Sequence, residues 1–245
     1  MKNLLYLFLF LATILISDSC KKDIIPQFSP EAGQNYTSHL FGRVLDEAEN
    51  PVSGATVKFN TRTTQTNEDG IYQFYDAEVN SFHSSVSITK DGYFNTSRNF
   101  TTQKSASISL VNILLKKEFN KTFEAVQGGT ITTGQANLVF PANGIVNVAT
   151  KADYSGTVKV AIKYLDPTHE DIFRQMPGNL EGIGADQQLK VLETFGMLNV
   201  ELQGAAGEKL QVKQGSSVEM SVPAHSGLSG ATPNEVPLWY YDEPK

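Results

Sequence analysis

Three features of this sequence predict an all-β chain built as two successive sandwiches. Short runs rich in Val, Ile, Thr and Phe alternate apolar with polar residues, the period of a half-buried strand. Turn formers separate those runs, with 19 Gly and 10 Pro in the chain. No long stretch carries apolar residues at helical spacing. A length of 245 residues allows one or two domains with cores of their own. Hydrophobic residues at 40% and charged residues at 19% mark a globular chain. The formal net charge of −6 leaves nucleic-acid binding without electrostatic support.

The N-terminus has a different character. Lys2 is followed by a charge-free apolar run over residues 4–16, then by Ser17-Asp18-Ser19-Cys20-Lys21-Lys22-Asp23. This is the three-part layout of a secretory signal, residues 1–19, with the chain's single cysteine where cleavage is expected. The run falls well short of the roughly 20 residues that span a bilayer. Residues 20–36, with two prolines and a glycine, read as a short tether.

The first sandwich is expected over residues 37–116. Strands are placed at 40–46, 56–60, 63–66, 71–74, 85–90, 93–100 and 107–115. In the second of these Ala55, Val57 and Phe59 share one face. Asn67-Glu68-Asp69-Gly70 between two extended runs predicts a hairpin, because Asn and Asp accept turn geometry and Gly supplies positive φ. A second β-rich domain is expected over residues 117–245. Its strands are placed at 136–140, 156–164, 196–203, 209–213, 217–222 and 237–241. In the 156–164 strand Val158, Val160, Ile162 and Tyr164 face a core, while Lys159 and Lys163 face solvent. A short helix is expected near residues 169–174. The aromatic run Leu238-Trp239-Tyr240-Tyr241 reads as a strand needing further β-structure beside it, so the chain reads as truncated.

Two resemblances rest on these motifs. The segment ending in Ser19-Cys20 resembles the signal of bacterial lipoproteins of the Bacteroidetes type, in which the cysteine is lipidated and becomes the new N-terminus. Ser17 departs from the commonest pattern, which has Leu there. Lys21 stands where an inner-membrane retention signal has Asp, so the resemblance implies the outer membrane, with surface exposure open. Gly42-x-Val44-x-Asp46, Pro51-Val52-x-Gly54-Ala55-x-Val57, Thr66-x-x-Asp69-Gly70-x-Tyr72-x-Phe74 and Lys90-x-Gly92-Tyr93 are similar to the carboxypeptidase regulatory-like family. That resemblance implies a seven-stranded prealbumin-like β-sandwich acting as a scaffold or interaction module, and it carries over no catalytic residue. In the second domain, residues 140–145, Ser155-Gly156-Thr157-Val158 and Tyr164-Leu165-Asp166-Pro167 resemble the β-rich region that follows such sandwiches in bacterial surface proteins. They also resemble the ZU5-type domains that mediate protein contacts.

The sequence offers little for chemistry. His39, His83, His169 and His225 are not paired at metal spacing, and His169-Glu170 lacks the second histidine of a zinc peptidase helix. Gly215-Ser216-Ser217 fits a turn, not a nucleophile elbow. No phosphate-cradling glycine loop is present. Two acidic groups have calcium-like composition: Asp166, His169, Glu170 and Asp171, and Asp46, Glu47 and Glu49 with Glu68 and Asp69. Loop solvation, turn chemistry and a helix N-terminus account for both without a metal. Exposed aromatics are the candidates for stacking on sugars: Tyr75, Tyr154 and Tyr240. Tyr72 and Phe74 alternate as core residues, and Trp239 lies in the predicted last strand.

The sequence thus predicts a non-enzymatic envelope lipoprotein with no cofactor. It reaches the membrane through lipid on Cys20 and binds an unidentified envelope protein or glycan. One acyl chain, at about 0.8 kcal/mol per buried methylene, anchors only marginally, so the several chains of a mature lipoprotein are required. Metabolic palmitate labelling is expected to mark the wild-type chain and leave Cys20→Ser unlabelled; equal labelling overturns the assignment.

Overall fold

The computed structural model of the chain describes residues 33–82, 84–104, 106–134, 136–186, 188–223 and 238–241, which belong to one compact unit. Cys20 with its signal-like segment, His83, His225 and Pro237 lie outside the described residues.

The N-terminal sandwich has seven strands: β1 (Asn35–Leu45), β2 (Thr56–Phe59), β3 (Arg62–Gln65), β4 (Ile71–Asn80), β5 (Ser84–Thr89), β6 (Thr96–Phe100) and β7 (Ile108–Ile113). They form one three-stranded sheet of order β4-β1-β7 and one four-stranded sheet of order β3-β2-β5-β6. The first strand begins at Asn35, inside the stretch read as a tether. It pairs antiparallel with β4 and parallel with β7, so the first and last strands of this sandwich lie side by side. Between the sheets lie Leu40, Val44, Val57, Phe59, Tyr72, Phe74, Val86, Ile88 and Leu114, all essentially inaccessible. Each such side chain contributes about 1.5–3 kcal/mol on burial.

Gly42 shows why one family-like glycine sits mid-strand. It lies opposite Tyr72 on β4, and a Cβ there would come within 2.5 Å of the Tyr72 ring. Gly70 is held twice over: its φ is +73°, and a Cβ would meet the Val44 carbonyl oxygen at 2.4 Å. The turn it belongs to differs from the expected hairpin. Asn67 Oδ1 accepts the N–H groups of Asp69 and Ile71, but β3 pairs only with β2 and β4 only with β1. The turn carries the chain from one sheet to the other. The local signal was correct, but a turn signal does not say whether its two strands pair.

The second sandwich follows directly. Its strands are β8 (Lys121–Glu124), β9 (Gly129–Thr133), β10 (Ala136–Phe140), β11 (Ile145–Asn147), β12 (Thr157–Leu165), β13 (Glu181–Ile183), β14 (Leu189–Val191), β15 (Met197–Gln203), β16 (Lys209–Val212) and β17 (Glu219–Ser221). A five-stranded sheet of order β11-β16-β15-β12-β8 packs on a three-stranded sheet of order β17-β10-β9, and β13 and β14 form a separate hairpin. Phe123, Val158, Val160, Leu202 and Leu210 from the larger sheet meet Ile131, Leu138 and Phe140 from the smaller, with Phe123 and Phe140 stacked at 4.7 Å. Among the described residues one short helix, α1 (Ile172–Gln175), lies where a helix was expected.

A third core joins the two sandwiches. Phe94 and Leu115 from the first pack with Ala161 and Leu165 of β12 and with Ile172 and Met176 in and after α1. This corrects the reading of β12 as solvated on its lysine face. Ala161 and Leu165 are buried there, and Lys163 reaches across to Glu47 at 2.5 Å. Arg174 pairs with Glu49 and Lys117 with Glu201 beside the same core. Gly178 bonds through its backbone to Ser97 and Asn99 and so covers the outer edge of β6. The end of the second domain also differs from expectation. Met220 and Val222 are exposed, and only Val218 joins the core. Residues 238–241 form no strand. Their rings instead seat on positions cleared by glycine, Trp239 against Gly182 and Tyr241 against Gly178, and the Tyr241 hydroxyl bonds that of Ser97. The period-two alternation persists there without a ladder.

The shared core predicts one cooperative transition for both sandwiches in urea. Leu165→Ala is expected to cost about 2–5 kcal/mol while leaving the transition single. Two separate transitions in the wild-type protein contradict a shared core.

Candidate functional site at a bulged aromatic cleft

The inward residues of β4 change parity along the strand. Tyr72 and Phe74 point inward, and so do Ala77 and Val79. An uninterrupted strand cannot place residues 74 and 77 on one face, because side chains alternate with a period of two. One extra residue must intervene. The β1–β4 register shows it: Ser38 pairs with Ala77 and Leu40 with Phe74, so His39 faces both Tyr75 and Asp76. Asp76 takes the extra place with φ of +49°, a region Asp tolerates better than most residues.

The hairpin of β2 and β3 braces this bulge. Arg62 Nη1 donates to the Tyr75 carbonyl at 2.7 Å and to the Asp76 carbonyl at 3.4 Å, and its guanidinium lies 5.5 Å from the Phe74 ring centroid. Asn60 Nδ2 donates to the Glu78 carbonyl at 2.9 Å. Tyr75 keeps the outward parity of Ile71 and Gln73, where its side chain is 63% exposed, and the bulge sets Asp76 beside it on the same outer face. Its ring stacks on His39, with centroids 4.6 Å apart and planes inclined by 13°. Phe41 extends the row at 5.3 Å from His39. The Tyr75 hydroxyl donates to Gln73 Oε1 at 2.7 Å. Beside the stack opens a shallow cleft of about 330 Å³ lined by Thr37, Ser38, His39, Tyr75, Asp76, Ala106 and Ser107. His39 Nε2 is buried in this wall without a hydrogen-bond partner.

The other sequence candidates are put to different uses. Tyr72 and Phe74 are core residues, and burial pushes the Tyr72 phenol far above its ordinary range despite the nearby Arg98. Tyr154 packs on the second core, donates to the Thr157 carbonyl and accepts from the Ala205 N–H, so it ties a loop down. Tyr240 is 87% exposed, remote in sequence from the bulge.

The acidic groups are spent locally. Asp46 accepts the N–H groups of Ala48 and Asn50 and the Asn50 amide. Desolvation, the largest single influence, works upward on this carboxyl, but those hydrogen bonds and Lys116 together outweigh it and hold it below the ordinary carboxylate range. Its contribution to folding is therefore present above the unfolded value of about 3.9 and lost as pH falls through the folded one. Glu47 and Glu49 face Lys163 and Arg174 of the second sandwich. Asp166 accepts from Thr168, the His169 ring accepts the Asp171 N–H, and Asp171 pairs with Arg174. Among the described residues no three His, Cys, Asp or Glu side chains converge as a metal site.

The sequence reading included Tyr75 but missed His39, Asp76 and Arg62. The parity change between Tyr72-x-Phe74 and Ala77-x-Val79 was the available signal.

No known family and no curated protein matches the chain in sequence. Among solved structures it is similar to a type II cohesin–X-dockerin complex from Acetivibrio cellulolyticus, at 20% identity over 29% of this chain and 51% of that one, TM-score 0.24. It is similar to a candidate membrane-associated protein of unknown function from Bacteroides fragilis, at 7% identity over 76% and 97% of the two chains, TM-score 0.25. A candidate carbohydrate-binding protein from Bacteroides uniformis aligns at 10% identity over 75% and 77%, TM-score 0.21. At such scores these are likenesses of β-structure and carry no function across.

Position 76 tests the bulge. Asp76→Gly is expected to keep or slightly raise stability, whereas Asp76→Val is expected to cost about 1–2 kcal/mol, since a β-branched residue resists the left-handed region. Equal melting temperatures for the two variants contradict the bulged register.

Proposed function

We propose that this chain is a non-enzymatic module of the bacterial cell envelope, lipidated at Cys20, held at the outer membrane and engaged there with a protein partner. The motif resemblance to lipoprotein signals and to carboxypeptidase regulatory-like sandwiches supports the location and the scaffold role. One observation carries the partner reading. Around the β13–β14 hairpin and the segment seated on it, Val191, Leu238 and Tyr240 are exposed at 86%, 79% and 87%. Large apolar side chains left in water at neighbouring elements are the mark of an interaction surface. Trp239 anchors that segment on Gly182 and turns its neighbours outward. The groups with displaced acidity, Asp46, Tyr72, Arg98, Tyr164 and Asp186, lie outside the lining of the cleft, which favours binding over acid–base catalysis.

A second reading is a carbohydrate-binding accessory of a nutrient-uptake system. The outward Tyr75 ring at the bulge favours it, because an exposed aromatic face over a polar rim suits a sugar better than a protein core.

Chemical cross-linking in intact envelopes tests the first reading. The wild-type protein is expected to give one adduct of defined mass, and the Leu238→Asp, Tyr240→Asp double variant is expected to lose it while keeping its melting temperature. No adduct, or one indifferent to these changes, overturns the partner surface.

A further inference from the structure

We infer that the cleft beside the β4 bulge takes one pyranose residue of a neutral glycan, laid against the outer face of Tyr75. The inference rests on the carbohydrate reading above and gives it a place and a ligand class. Four observations converge on that occupant. The cleft, about 330 Å³ and open to the surface, is at the small end of ligand sites and suits a ring lying on a wall. Its wall is aromatic, a Tyr75 ring backed by His39 at 4.6 Å, so a ligand adds a third layer to an existing stack. Its rim carries the hydroxyls of Thr37 and Ser107, with that of Ser38 already donating to the Ala106 carbonyl, and the carboxylate of Asp76. Among the described residues no Lys or Arg lines it, so they offer nothing to neutralise a phosphate or an acidic peptide, and the single carboxylate among them is too few for a hard cation. A pyranose presents the complement: a C–H face for the ring and a circle of hydroxyls for the rim.

The fourth observation is the unpaired nitrogen. His39 Nε2 is buried in the wall with no hydrogen-bond partner, a polar demand that the fold itself leaves unmet. The Tyr75 ring is held by its stack on His39 and by its hydroxyl bond to Gln73, with its outer face in water. A sugar on that face that extends a hydroxyl past the ring edge toward His39 would supply the missing partner while the stack stays in place. The bulge makes the geometry reproducible. Arg62 fixes the carbonyls of residues 75 and 76, so the backbone beneath the stack is set before any ligand arrives.

The test uses the acylated full chain in a non-glycosidic detergent, titrated calorimetrically with maltohexaose, cellohexaose, mannohexaose and xylohexaose. At least one is expected to bind. Tyr75→Ala is expected to weaken that binding about tenfold and Tyr75→Phe to leave it within about twofold, since the ring and not its hydroxyl forms the stack. His39→Ala is expected to weaken it as well, and Tyr240→Ala to leave it unchanged. Tyr75 is largely exposed, so its variants fold, and an unchanged melting temperature confirms this. Binding that survives both Tyr75→Ala and His39→Ala overturns the cleft as the site while leaving the carbohydrate reading standing. Binding to none of the four overturns both.

Discussion

The packing of Leu115 against Leu165 and Met176 is the constraint on which the rest of the molecule depends. Each sandwich already has a closed core between its own two sheets. What neither can do alone is cover its remaining apolar face. Phe94 and Leu115 stand at the ends of the first sandwich's strands, and Ala161 and Leu165 on the outer face of β12. Ala161 is small enough to let the two bodies approach, and α1 closes the gap with Ile172 and Met176. Around this apolar centre the ion pairs Glu47–Lys163 and Glu49–Arg174 are partly exposed, worth at most about 1 kcal/mol each. They set orientation more than strength. The acidic loop that has a calcium site's composition is thus the polar rim of an intramolecular interface.

The bulge in β4 is a second consequence of covering faces. Tyr72 and Phe74 must face inward to fill the core over Gly42, and Ala77 and Val79 must do so to close the far end of the same sheet. The strand meets both demands only by inserting Asp76, which leaves Tyr75 and Asp76 side by side on the outer face. An outward aromatic on a sheet face is ordinary. One whose backbone is fixed by an arginine, whose ring is backed by a histidine and whose neighbour is an unpaired nitrogen is a surface with a stored demand for a polar, ring-shaped partner.

Much of the architecture was legible in the sequence, because strand periodicity and turn residues act locally. Seven strands in the first sandwich, the long β12 and the return strands β15 and β16 all follow from alternation and from Gly and Asn placement. The misreadings share one cause. Which strands pair after Asn67–Gly70, what covers Lys163, and where Leu238-Trp239-Tyr240-Tyr241 lies are decided by contacts far away in the chain, and no local pattern encodes them. Lys163 looks solvated because it is charged and sits opposite Val158 and Val160; only the approach of Glu47 gives it another role. The site was half legible for a related reason. Tyr75 stood out as an aromatic beside an alternating pair, but His39 and Arg62 belong to other strands. Their meeting needs the register of β1 on β4, and the parity change that sets that register is read only when the whole of residues 71–80 is taken as one strand.

The two candidate surfaces lie on one welded body, and this bears on how they could work together. The cleft is on the outer face of the β4-β1-β7 sheet, and the apolar segment is seated on β13, tied to β6 through Tyr241 and Ser97. Between them run the two packed sheets of the first sandwich, with Gly178 pinned to the backbone of β6. Coupling between sites needs an element with two arrangements that both ligands bias. Packed sheets joined by a buried core offer none along this path. A glycan at Tyr75 and a protein at Leu238 and Tyr240 would therefore be held together without either altering the other's affinity. A rigid body of this kind fixes the distance between its two surfaces, which a flexible linker cannot do.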